Sequence, residues 1–249
     1  MKLAAIVGGS AFTTATVLTG CDAAPTSARA ESYWRTLFNG HDLEGWTVSA
    51  DAAPHWSVDE GVLVFDGVGG DLWTTASFEN FELLVSWRWI GPSQGTVERP
   101  LIDVDGSYRL DDSGERMTVP VEERDSGIYL RGSSKSQVNI WAWPAGSGEV
   151  YGYRTDASMP AETRAAATPL QRGDRPVGAW NDFRISLVGE ILNVHLNGQH
   201  VIMDCPLPGV AAAGPIGLQA HGSAIEFRDL AIRPIGPKTR RYPAPGHGR

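Results

Sequence analysis

Two stretches of this chain set polar and aromatic side chains on the face of a strand that should not enter a core. In Ser126 to Gly132 (SGIYLRG), alternation puts Ile128 and Leu130 on one side and Tyr129 and Arg131 on the other. In Ser136 to Trp143 (SQVNIWAW), Val138, Ile140 and Ala142 oppose Gln137, Asn139, Trp141 and Trp143. Such a face suits a saccharide. Amides donate to and accept from neighbouring hydroxyls, an indole covers the C–H side of a pyranose, and a guanidinium clamps a carbonyl or carboxylate oxygen. A solvated polar face with a Trp covering a loop is the plainer reading of the same pattern. Gly146 to Arg154 adds Glu149, Tyr151 and Tyr153 on one parity, and GPIGLQAHG (Gly214 to Gly222) adds Gln219 and His221, with Glu226 shortly after. An imidazole before Gly at a strand end is open to a ligand and titrates near neutrality. It can serve as base, acid or metal ligand, or simply bond a loop carbonyl.

Other chemistries lack their signatures. There is no Gly-x-Ser-x-Gly elbow, no His-Glu-x-x-His helix and no paired Cys ligands. Gly67 to Asp71 is Gly-rich but has no Lys and no following helix, which makes it a turn and not a phosphate cradle. Asp103-x-Asp105-Gly106 lacks the remaining ligands of a calcium loop and reads as a hairpin turn.

The elements that must position these residues are strands. The 249 residues include 29 Gly and 16 Pro, too many for a helical bundle, and the net charge of −8 argues against a sequence-independent nucleic-acid binder. Period-two patterning predicts an all-β single domain over residues 33–235. Its strands include Trp56 to Val58, Val62 to Phe65, Phe81 to Trp89, Phe183 to Leu187, one carrying Leu192, Val194 and Leu196, Gln199 to Met203 after the Asn197-Gly198 turn, Pro215 to Gln219, and Ile225 to Ile232. Gly91 to Asp125 breaks the rhythm and reads as an insertion, a rim or lid with its own hairpin pairing Leu101 to Asp103 with Tyr108 to Leu110. Ala161 to Ala167 is the one helix-like stretch.

The ends carry different signals. Residues 1–20 have a positive n-region at Lys2, an apolar stretch and a Leu18-Thr19-Gly20-Cys21 ending that resembles a lipobox. The expectation is an exported protein of the bacterial envelope, lipid-anchored through Cys21 and otherwise away from the membrane; an ordinary secretory signal with a chance Cys is the alternative. A lipidated Cys21 leaves Cys205 without a disulfide partner. Residues 21–32 suit a flexible tether, and residues 236–249 a solvated basic tail.

Several motifs in order, FNGHDLEGW (Phe38 to Trp46), WSVDEGVLV (Trp56 to Val64), LWTTASFENFEL (Leu72 to Leu83), SGIYLRG, WNDFRI (Trp180 to Ile185), GPIGLQAHG and EFRDLAIRP (Glu226 to Pro234), resemble the 3-keto-disaccharide hydrolase domain family. The resemblance implies a concanavalin-like jelly-roll β-sandwich acting on glycosides already oxidised at C3, supplied by a sugar 3-oxidoreductase. A C3 ketone acidifies the C2 proton and puts O1 β to the carbonyl. A base can therefore form an enolate that expels the aglycone, and water then adds. The implied roles are His221 or Glu149 as base or metal ligand and Arg131 as oxyanion clamp, with Gln137, Asn139, Trp141, Tyr151 and Gln219 around the sugar. A divalent metal is the one cofactor such a site could use. Many relatives carry an acidic Glu-Val-Gln-Ile-Leu-Asp-like strand where this chain has Gln137 to Trp141, so an expected carboxylate is replaced; Glu122, Glu123 or Asp125 of the insertion could restore one. Two rivals stand beside this reading: a non-catalytic carbohydrate-binding module, and an ordinary glucanase, whose Glu-x-Asp-x-x-Glu run is missing.

Overall fold

The computed structural model describes residues 33–236; the expected signal, Cys21 anchor and tether and nearly all of the expected basic tail lie outside them. Two antiparallel sheets face each other across one core. The larger sheet runs β13 (Gln199–Pro206), β12 (Ile191–Leu196), β11 (Asn181–Val188), β6 (Phe81–Trp89), β15 (Ile225–Pro234), β4 (Val62–Phe65) and β3 (Trp56–Asp59), with β1 (Arg35–Thr36) also on β15. The second sheet runs β10 (Ser133–Trp141), β9 (Asp125–Leu130), β14 (Gly217–Leu218), β5 (Leu72–Thr74) and β2 (Trp46–Thr47). This is a jelly-roll β-sandwich, and consecutive hairpins join strands that are neighbours in space.

Alternation explains which faces meet. Phe81, Leu83, Val85, Trp87 and Trp89 of β6 are all buried and meet Ile128, Leu130, Val138 and Ile140 of the second sheet in the same apolar cluster. Along β15 the apolar residues Ile225, Phe227, Leu230 and Ile232 change parity midway. A bulge between Arg228 and Ala231, with Asp229 at φ +52, inserts the residue that returns Leu230 and Ile232 to the core. Glu82, although buried on the other side of β6, is satisfied by Arg184 and Arg233.

Two expectations change and one is met. The segment from Gly146 to Arg154 is no strand: it passes through a turn into α1 (Tyr151–Arg154), so the parity linking Glu149, Tyr151 and Tyr153 does not exist. The closing strand expected over Pro215 to Gln219 pairs only at Gly217–Leu218. The helix expected near Ala161 is α2 (Ala161–Ala166). The insertion forms a ribbon of β7 (Thr96–Pro100) and β8 (Thr118–Glu122), extended by bridges at Ile102–Tyr108 and Leu110–Arg116.

Candidate functional site

On the outer face of the second sheet, β10, β9 and the segment after β14 form a cleft of about 350 Å³. Gln137, Asn139, Trp141 and Trp143 line it from β10 and its extension, Asp125 from β9, Gln219 and His221 from beyond β14, and Tyr151 from α1, with Ser134 and Lys135 at the opposite end from the Trp pair. A depression outside the large sheet is roomier, about 480 Å³, but Glu82 and Asp204 are its titratable groups and Glu82 is already held by two arginines. Volume alone therefore does not choose the site; the convergence of an imidazole, a carboxylate and three amides does.

The amides form a chain. Gln137 Nε2 donates to Gln219 Oε1 over 2.5 Å, and Gln219 Nε2 lies 3.1 Å from His221 Nδ1. A Cβ at position 127 would collide with the Gln137 side chain, so glycine on β9 is what lets this amide lie across the sheet. Asn139 is 97% buried, since its exposure is 3%, and its Nδ2 has no partner among the described residues. A buried donor left unpaired costs about 1–3 kcal/mol, which makes Asn139 an unsatisfied polar group in the lining of the cleft. Trp143 Nε1 is buried and unpartnered as well.

Asp125 opens β9 opposite Trp141, and its Oδ2 stands 3.9 Å from His221 Nδ1. Burial pushes its carboxyl up to about 6, and nearby Glu123 adds to the rise, while His221 and Arg99 oppose it. Behind the cleft, Asp71 accepts from the Ala220 amide over 2.8 Å and so fixes the segment leading to His221; burial also raises its carboxyl. Tyr129 stacks on Trp73 with ring centroids 5.0 Å apart, and burial pushes its hydroxyl upward.

The aromatic wall differs from the expected stacking platform. Trp141 and Trp143 lie face to face, 4.0 Å apart and 3° from parallel, and Tyr151 meets both at 89°. Trp141 is only 3% exposed and its Nε1 donates to the Gly146 carbonyl. Its indole therefore builds the wall and offers no open face to a pyranose; the exposed ring of the cleft is Tyr151.

Two expected site residues lie elsewhere. Arg131 does not reach the cleft, because Leu130 pairs with Ser133 and leaves Arg131-Gly132 as a two-residue turn with φ +51 and +74. Its guanidinium instead donates to the carbonyls of Glu79, Gly189 and Ala211 at 2.8–2.9 Å, fastening three loops. Glu149 is fully buried in an ion pair with Arg154, and its backbone carbonyl accepts from the backbone N–H of Asn139. Neither can be an oxyanion clamp or a base in this cleft. Of the insertion acids Glu122, Glu123 and Asp125, it is Asp125 that lines the cleft.

A metal does not fit the donor set. Among the described residues, no three His, Cys, Asp or Glu side chains gather around one point. The cleft offers one imidazole and one carboxylate, fewer strong ligands than zinc or calcium sites use.

A family model described as a 3-keto-alpha-glucoside-1,2-lyase-like domain matches residues 33–233. Three solved structures from Parabacteroides distasonis ATCC 8503, each provisionally designated a glycosyl hydrolase, share the fold. The first has a TM-score of 0.57 at 22% identity, covering 81% of this chain and 84% of its own. The second has 0.52 at 19%, covering 83% and 95%, and the third 0.50 at 22%, covering 82% and 100%. No curated protein sequence matches.

Proposed function

This chain belongs to the 3-keto-alpha-glucoside-1,2-lyase-like domain family and is a carbohydrate-active protein, and we propose that it cleaves 3-keto-glycosides by removing the C2 proton and expelling the group at O1. The observation that supports this most is the placement, in one cleft, of a carboxylate, an imidazole and a buried amide with a free donor. That set answers the three demands of the reaction: a base at C2, a donor for the enolate oxygen at C3 and an acid for O1.

Asp125 removes the C2 proton. A carboxyl held near 6 is a stronger base than an exposed one and is still largely ionised at neutral pH. The Asn139 amide receives the enolate oxygen in a site where its donor has no competing partner. Protonated His221, at the mouth of the cleft, gives its proton to the departing O1, so the aglycone leaves as an alcohol and the ring as an enone. His221 then takes a proton from water as the oxygen adds to C1, and Asp125, whose carboxyl proton exchanges with solvent once the aglycone has left, protonates C2. One water is consumed and both groups are restored. Gln219, held by Gln137, keeps the imidazole in place, and Tyr151 flanks the sugar.

An export signal and lipid anchor on Cys21 would place this reaction in the cell envelope, downstream of an oxidoreductase that oxidises C3. The test is aglycone release from a 3-keto-disaccharide, with the unoxidised disaccharide as control and with added chelator. Release that Asp125→Asn and His221→Ala each abolish supports the assignment. Tight binding without release would instead make this a carbohydrate-binding module.

A further inference from the structure

The insertion does more than border the cleft. At its root, Gln94 Nε2 donates to the His221 carbonyl at 2.9 Å and to Ser223 Oγ at 2.8 Å. Its outer hairpin places Tyr108 beneath the Arg154 guanidinium, 5.3 Å away, and that same guanidinium lies 5.4 Å from the Tyr151 ring. Between these two footings, Arg99 of β7 holds the Glu123 carboxylate through both Nε and Nη2, at 3.0 and 2.5 Å, and sets its Cζ 4.3 Å from the centre of the Trp143 ring.

Two-point pairing fixes the plane of a guanidinium, and a fixed plane can lie flat on an indole. Trp141 covers Trp143 at 4.0 Å, and Arg99 approaches the Trp143 ring but makes no ring contact with Trp141. Arg99, Trp143 and Trp141 therefore form one layered stack, with Trp143 in the middle. An ordinary rim ion pair would need no such contact, and its partners would be more exposed than the 28% and 12% seen for these side chains. We propose that the insertion of residues 91–125 completes the reaction site through Arg99, a positioning residue that holds Trp143 against Trp141 and so fixes the end wall against which the sugar ring rests. This rests on the reading of the cleft as a saccharide site given above.

A double-mutant cycle tests it. Arg99→Ala, Trp143→Ala and the double variant are compared for kcat and KM on a 3-keto-disaccharide, and for binding of the unoxidised disaccharide by tryptophan fluorescence. Thermal midpoints verify that each variant is folded, and Arg99→Gln with Trp143→Phe replaces any that is not. The expected result, read at about pH 8 where Asp125 is ionised with or without Arg99, is a KM raised about tenfold by Arg99→Ala with a far smaller change in kcat, and a double variant no worse than Trp143→Ala. Multiplying losses would show that Arg99 acts independently of Trp143, and a KM equal to that of the parent in a folded Arg99→Ala would overturn the proposal outright. If the parent releases no aglycone, the lyase reading fails by itself. Disaccharide binding that still weakens on Arg99→Ala then supports the positioning role, and binding indifferent to Arg99 ends it.

Discussion

Asp125 and His221 face each other across 3.9 Å although 96 positions of sequence separate them, one opening β9 and the other following β14. The sheet makes this meeting, since β9 and β14 are paired neighbours. Burial holds the Asp125 carboxyl up to about 6 from its ordinary 3.8. Activity that needs Asp125 ionised should therefore rise through pH 6, and a kcat/KM profile should show that acidic limb. The same shift has a stability counterpart of defined sign. Between 3.8 and about 6 the folded protein holds a proton that the unfolded chain has lost, so this residue favours folding at low pH and the contribution fades as pH climbs through 6. Asp125→Asn should flatten that part of a denaturation-versus-pH curve.

Asn139 should show stability and activity moving in opposite directions. Its unpartnered Nδ2 costs about 1–3 kcal/mol in the unliganded protein. Asn139→Leu removes the stranded donor while nearly keeping volume, so urea unfolding should show stability unchanged or higher, while aglycone release falls by about a hundredfold or more with the loss of an oxyanion donor. A variant that is both less stable and fully active would refute this account of the residue.

Arg131 should behave as a structural residue. Arg131→Ala strands three carbonyls on three loops, which predicts a loss of about 2–4 kcal/mol by urea denaturation and little change in kcat per folded molecule. Lysine cannot restore the forked geometry, so Arg131→Lys should recover only part of the stability.

For the buried pair of Glu149 and Arg154, the outcome depends on which partner is removed. Arg154→Met leaves a fully buried carboxylate without its cation, and should cost about 3–5 kcal/mol in a thermal or urea melt. Glu149→Gln keeps the shape and an acceptor, so it should cost less and leave catalysis nearly intact, which a base at this position could not do.

Much of this is legible in the sequence. The bounds of β4 and β6 coincide with the alternating runs that predict them, because inward and outward residues of a sandwich differ at every second position. Gln137 and Asn139 are legible as outward-facing amides for the same reason, whereas Tyr151 reaches the cleft from α1 and Gln219 and His221 from beyond β14, not through the strand parity that singles them out. Alternation carried one residue past the end of β9 runs into a turn and misplaces Arg131, and carried through the turn glycines Gly146 and Gly148 it misplaces Glu149, just before α1. Which of the insertion acids faces the cleft depends on the pairing of Asp125 with Trp141, a long-range contact with no local signature. Arg99 has no signal at all, since its role depends on the long-range contact that sets it over the Trp143 ring.

The most direct test is the fate of the hydrogen at C2. With a 3-keto-disaccharide in deuterated water, early product should carry deuterium at C2, and Asp125→Asn should abolish both its incorporation and aglycone release. Product released with its original C2 hydrogen intact would mean direct displacement at C1, and the account of this cleft would be wrong.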